Sequence, residues 1–118
     1  MTLRVRRVHE PPQRSDGVRI LVDRLWPRGV SKERAAIERW AREVAPSDAL
    51  RKWFGHDPAR WDGFRERYFR ELDALPDAVQ ALADEVVGRN ATLLFGTREE
   101  RFNNAVALRE YLAATFRL

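Results

Sequence analysis

Between Asp23 and Lys32 the chain sets down a carboxylate, two guanidiniums, an indole and an ammonium within ten residues, D-R-L-W-P-R-G-V-S-K. Asp23 has the chemistry of a general base, of an acceptor for a ligand hydroxyl, or of an ion-pair partner for Arg24 or Arg28. An acid there needs a partner or a ligand, because an unpaired buried charge is costly. Arg24, Arg28 and Lys32 would neutralise anionic oxygens, helped by the free N–H groups and dipole of any helix that starts beside them. Trp26 could stack on a ring or plug the core. The stretch matches neither G-x-x-x-x-G-K-S/T nor G-x-G-x-x-G, so the glycine-rich phosphate loops are absent.

A second polar group lies some seventy residues on, at Gly96-Thr97-Arg98 and Asn103-Asn104. One of Asn103 and Asn104 is expected to cap the last helix, leaving the other with a donor and an acceptor free for a ligand, with Arg98 the nearest cation. His56-Asp57 could be a base with its orienting partner, yet Asp57 also has the form of a helix cap. A triad of Ser31, His56 and Asp57 would lack a nucleophile elbow. His9 and His56 do not have zinc-ligand spacing, so neither a metal nor another cofactor is expected. Trp40, Trp53 and Trp61 fall on amphipathic faces and read as core.

These groups need elements to position them. Val18, Ile20, Leu21 and Val22 form a buried, partly β-branched strand. Pro27 holds Trp26 out of the helical region, and Gly29 permits a turn. Ser31 would cap a helix over 32–44, with Ala36, Ile37, Trp40, Ala41 and Val44 on one face at 3.6-residue spacing. Ser47 caps a short helix over 48–54 that Gly55 stops, and Asp57-Pro58 starts one running to Leu72. Pro76 opens another, ending at Gly88, and the last runs from about Asn103 to Phe116. Leu3 to Val8 alternates apolar and basic residues, as a strand near a sheet edge would; its direction is left open by the short loop that follows. Ala91–Phe95 is a further buried strand. If it runs parallel to the Val18 strand, joined by a right-handed crossover, the carboxyl ends of both open on one crevice, where α/β folds bind ligands.

The 118 residues allow one domain, large enough for a core without metal or disulfide. The absence of cysteine removes thiolate chemistry and fits a reducing cytoplasm. Neither a signal peptide nor an apolar run long enough for a membrane span is found. A net charge of +4 raises the prospect of an anionic partner, nucleic acid included. The arginines, however, interleave with acids, as in R-E-R-Y-F-R-E at 65–71, which reads as an ion-paired helix face.

Three segments together resemble a known family: V-R-I-L-V-D-R-L-W-P-R-G-V-S-K, A-P-S-D-A-L-R-K-W-F-G-H-D-P and N-A-T-L-L-F-G-T-R-E-E-R-F-N-N-A-V-A-L-R-E-Y-L. The chain is similar to the YeaO-like branch of domain-of-unknown-function family 488 over about residues 3 to 114, with D-R-L-W-P-R-G the most specific part. The resemblance implies a compact α/β domain of the bacterial cytoplasm and leaves the activity open. Carried over residue by residue, it implies that Asp23, Arg24, Trp26, Pro27, Arg28, Gly29, Ser31 and Lys32 matter, as do Ser47, Leu50, Arg51, Trp53 and Phe54, and then Asn103 and Asn104. Relatives outside this branch often carry a cysteine-histidine-arginine run at the start of the last helix. Here Phe102-Asn103-Asn104-Ala105 stands in its place, which puts thiol-dependent or histidine-dependent chemistry in question for this chain.

The reading is a single α/β domain over 1–118, with a small, mostly parallel sheet of about three strands flanked by about five helices. Its expected function is to hold a small anionic, nucleotide-like ligand in a polar crevice. Asp23 would be the base or hydroxyl acceptor, Arg24, Arg28, Lys32 and Arg98 the counter-charges, Trp26 a stacking surface, and Asn103 or Asn104 the orienting group. The alternatives are a nucleic-acid-associated module and an interaction subunit that uses Trp26 or Tyr68 as an exposed anchor.

Overall fold

The structure, a computed structural model, describes residues 2–117. Its centre is the strand A-T-L-L-F, Ala91–Phe95, in which every residue is buried. Strand β1 (Leu3–Arg7) pairs with it on one side and β2 (Val18–Leu21) on the other. A two-residue strand, β3 (Arg39–Trp40), lies outside β2, so that with Ala91–Phe95 as β4 the order is β1-β4-β2-β3 and every pairing is parallel. Among the described residues the sheet has four strands, where about three were expected; the extra one is β3. The basic alternation of β1 corresponds to an edge position, where charged side chains discourage pairing with another chain.

Because β4 lies between β1 and β2, the connection from β1 to β2 skips one strand and does not join neighbours. It passes over β4: Thr92 Oγ1 donates to the Asp16 carbonyl at 2.8 Å. Asp16 is fully buried there and takes Arg6 at 2.7 Å and Arg19 at 2.6 Å. Gly17 then enters β2 with φ of 63°, and a Cβ on it would stand 2.0 Å from the Asn90 carbonyl oxygen, so the position requires glycine.

Four α-helices cover the opposite face: α1 (Asp48–Phe54), α2 (Trp61–Asp73), α3 (Pro76–Val86) and α4 (Asn104–Phe116). Their buried side chains, among them Phe54, Phe64, Tyr68, Leu82, Leu108 and Leu112, join Ile20, Val22, Leu93 and Phe95 in the main core. Leu21 and Leu94 point the other way, into a smaller cluster with Val8, Ala35 and Ile37 that irregular chain closes over. The caps are local chemistry. Ser47 Oγ accepts from Leu50 N at 3.1 Å, Gly55 ends α1 in the left-handed region, and Asp57 Oδ1 accepts from Ala59 N ahead of a 3-10 turn, Pro58–Arg60, that runs into α2.

The helix expected over 32–44 does not form. Residues 32–36 make turns, Ala36 has φ of 51°, β3 follows, and Arg42–Val44 is a 3-10 turn. Ser31 accepts from Arg34 N with its hydroxyl and from Ala35 N with its carbonyl, closing a turn in place of a helix. The apolar spacing misled because the sheet divides these residues: Ile37 joins the smaller cluster, whereas Ala41 and Val44 join the main core. The edge of β2 decides the outcome. It is buried, and its carbonyls at Arg19 and Leu21 take Glu38 N at 3.0 Å and Ala41 N at 2.8 Å, bonds that a helix over 32–44 would leave unmade.

Candidate functional site

β2 ends at Leu21, and Val22 N still bonds Leu94 O at 3.1 Å, so Asp23 is the first residue free of the ladder. Its backbone is fixed by the Trp40 indole, which donates to the Asp23 carbonyl at 2.7 Å. Its carboxylate spans two elements: Oδ2 accepts from Gly96 N at 2.9 Å, and Oδ1 accepts from Asn104 Nδ2 at 3.0 Å. The same Asn104 amide also donates to Val22 O at 3.0 Å. Gly96 allows this approach, since a Cβ there would lie 3.0 Å from Asp23 Oδ2 and 3.1 Å from Pro27 Cγ. Burial pushes the Asp23 carboxyl above its ordinary value; the bonds from Asn104 and Gly96 and the charge of Arg51 oppose that shift without cancelling it.

Asp23 stands at one wall of a cleft of about 260 Å³ at the carboxyl end of the sheet. Thr97, Asn103 and Asn104 continue that wall, and the C-terminal half of α1 and its exit supply Arg51, Phe54 and His56. Phe64, Pro46 and Leu25 add apolar surface. Arg24 also lines the cleft, but its Nε donates to Pro46 O at 2.7 Å and its Nη2 to Ala45 O at 3.1 Å, so much of it is spent on bracing the chain before α1. Arg51 Nη1 donates to Asp48 Oδ1 at 2.7 Å. Gly55 and His56 follow with φ of 54° and 57°; two successive left-handed residues turn the chain back and leave the imidazole at the cleft.

Of the residues expected to bind a ligand, Asp23, Arg24, Asn103 and Asn104 line this cleft together, and Arg51, Phe54, His56 and Thr97, also singled out from sequence, line it with them. Asn103 is structural on both sides: its Oδ1 accepts from Val106 N and its Nδ2 donates to Glu99 O, each at 2.9 Å. Trp26, Arg28, Lys32 and Arg98 are not among the lining residues. Trp26 packs edge-on against Trp40, with centroids 5.3 Å apart, and donates to Val30 O, so it plugs the smaller cluster. Arg28, Lys32 and Arg98 are exposed. The helix whose N-terminus was to gather Arg28 and Lys32 is absent, which removes the reason for that grouping. Tyr68, considered above as an exposed anchor, is fully buried and donates to Val44 O. Sequence reasoning gave Arg51 no stated role and His56 that of a base oriented by Asp57, whose Oδ1 instead accepts from Ala59 N; the glycine stop after a capped helix of about two turns was the signal that Arg51 and His56 would emerge at one end. Among the described residues, no group of three or more His, Asp or Glu side chains could hold a metal ion.

A family model described as the inactive DUF488-N3 subclade matches residues 2–117. The chain belongs to the DUF488 family. Its YeaO-like character follows from a relative in Escherichia coli, the uncharacterised protein YeaO, 39% identical over 112 residues and covering 95% of this chain and 97% of the relative. Uncharacterised proteins of Mycobacterium tuberculosis and Mycobacterium bovis are also 39% identical, over 111 residues, covering 93% of this chain and 92% of each relative. No solved structure matches this DUF488 chain significantly. None of its helices is long and apolar enough to cross a membrane among the described residues.

Proposed function

We propose that this DUF488 protein is a cytoplasmic binding protein whose cleft at the carboxyl ends of β2 and β4 holds a small anionic ligand, nucleotide-like ones included. The observation that carries the reading is the joining of two distant strand ends through one carboxylate, Asp23 to Gly96 N and Asn104, at the wall of an open cleft. Such strand ends are where open parallel sheets take ligands. Asp23 accepts a ligand hydroxyl or N–H, while Arg51, His56 and the remaining face of Arg24 meet the anion. Membership of a subclade described as inactive favours binding without turnover and gives Asp23 the role of acceptor in place of base.

The test is a thermal-shift and ligand-detected NMR screen of phosphorylated and carboxylated metabolites against the wild type, Leu25→Trp and Arg28→Ala. Leu25 lines the cleft and is 54% exposed, so an indole there fills the mouth without entering the core. Hits lost in Leu25→Trp and kept in Arg28→Ala support the reading; hits indifferent to Leu25→Trp refute it.

A second reading, a nucleic-acid-associated module, has one observation in its favour. Val8 N bonds Phe95 O and Arg7 Nε bonds Thr97 O, which gathers Arg7, His9 and Arg98 at one corner of the sheet. Burial, then the charges of Arg7 and Arg98, hold the His9 imidazole below its ordinary value. Gel shift at low and moderate salt checks it, since phosphate binding must weaken steeply with salt; no retention at low salt removes it.

A further inference from the structure

The polar groups of the cleft are not evenly spread. On the β2–α4 side stands Asp23, whose two oxygens are each held by a neutral donor, Gly96 N and Asn104 Nδ2. Among the described residues no guanidinium, ammonium or imidazole forms an ion pair with it. An ionised carboxylate accepts about four hydrogen bonds, so each oxygen has one direction still open. The neighbouring Arg24 is turned away, onto the Pro46 and Ala45 carbonyls. On the α1 side stand Arg51, whose Nε and Nη2 make no hydrogen bond among the described residues, and His56, likewise without a hydrogen bond there. A carboxylate thus stands on one wall and cationic donors on the other, and Phe54, Phe64 and Pro46 add apolar lining.

We infer that the cleft selects a zwitterion: a small molecule that offers a cationic N–H group to Asp23 and an anionic group to Arg51 and His56. The inference rests on the cleft being a small-anion site and names which anions fit it best. A plain anion competes for the Arg51 charge that acts on Asp23, leaves the half-buried carboxylate without a contacting cation and adds a second negative charge nearby. A ligand ammonium offsets these penalties, and the raised Asp23 carboxyl is the state that a cation would reverse. The volume, about 260 Å³, lies just below the range of drug-sized pockets, roughly 300 to 1,000 Å³, and suits a compact ligand.

The experiment titrates the full chain, followed by amide NMR, with phosphoethanolamine and with hydroxyethyl phosphate, which differ only in an ammonium against a hydroxyl. The expected result is that phosphoethanolamine binds at least about tenfold more tightly, with shifts at Gly96 and Asn104. Asp23→Asn removes the preference, whereas Arg51→Met weakens both ligands by the same factor. Equal affinity for the two ligands in the wild type overturns the inference and leaves the small-anion reading standing. Failure of both to bind at tens of millimolar overturns the cleft reading and this inference with it.

Discussion

The side-chain amide of Asn104 bonds Asp23 Oδ1 and the Val22 carbonyl, each at 3.0 Å, tying the first residue of α4 to the end of β2 across more than eighty residues of sequence. The same residue pair shapes a wall of the cleft, so stability and site geometry share one side chain. Asn104→Ala removes both bonds. The expected cost is about 1–3 kcal/mol, from the partners left unpaired. Urea unfolding measures the loss. Carbon NMR of the Asp23 carboxyl should show its titration moving to still higher pH, because the bond from Asn104 favours the ionised form.

Glycine is required for different reasons at Gly17 and Gly96, and alanine should separate them. At Gly17 the added Cβ meets backbone, the Asn90 carbonyl oxygen at 2.0 Å, in a left-handed conformation. Gly17→Ala should cost more than about 4 kcal/mol or prevent folding. At Gly96 the Cβ meets Asp23 Oδ2 and the Pro27 ring at 3.0 to 3.2 Å, so small displacements relieve it. Gly96→Ala should fold with a loss of about 1–3 kcal/mol and a displaced Asp23. Denaturant midpoints rank the two; equal losses would contradict this account.

Asp16 holds two arginines, Arg6 and Arg19, and has no exposed surface. Asp16→Ala leaves the Arg19 guanidinium buried without a counter-charge. The expected loss is about 3–5 kcal/mol, measured by denaturant unfolding. Replacing the exposed pair of Glu66 and Arg70 should change stability by less than about 1 kcal/mol, which serves as the control.

Asp16 and Asp23 act in opposite senses with pH. At Asp16, burial pushes the carboxyl up, but the Gln13 N–H, the Arg19 bond and the charges of Arg6 and Arg19 outweigh it and leave it below 3.8. The unfolded chain therefore binds a proton first, and this contribution is present above pH 3.8 and lost as pH falls toward the folded value. At Asp23 the folded value lies above 3.8, so the folded chain binds the proton more tightly. That contribution is present below pH 3.8 and lost as pH rises through the folded value. Stability profiles of Asp16→Asn and Asp23→Asn should flatten the acid side and the rising side respectively.

Much of this arrangement was legible because it is set by neighbours in sequence. Ser47, Gly55, Asp57-Pro58 and Pro76 mark helix ends through bonds made within a few residues. The Ala91–Phe95 strand and its parallel partner follow from uninterrupted burial. The segment over 32–44 was not legible, because its conformation is chosen by the open edge of β2, which periodicity does not report. Arg19 was equally opaque: a strand arginine reads as solvent-facing until the loop carrying Asp16 is known to fold over it. In the cleft, the asparagine pair and Asp23 could be reached from strand ends. Arg51 and His56 depend on where α1 stops against the sheet, a distance relation between elements.

All four helices pack on one face of the sheet, turns close the other, and the two-residue β3 forms the edge beside β2. The two sides should therefore exchange amide protons at different rates. The amides of Glu38 and Ala41 should open by local fraying at the β3 edge, whereas those of Leu93 and Leu94, flanked by strands on both sides, should open only with global unfolding.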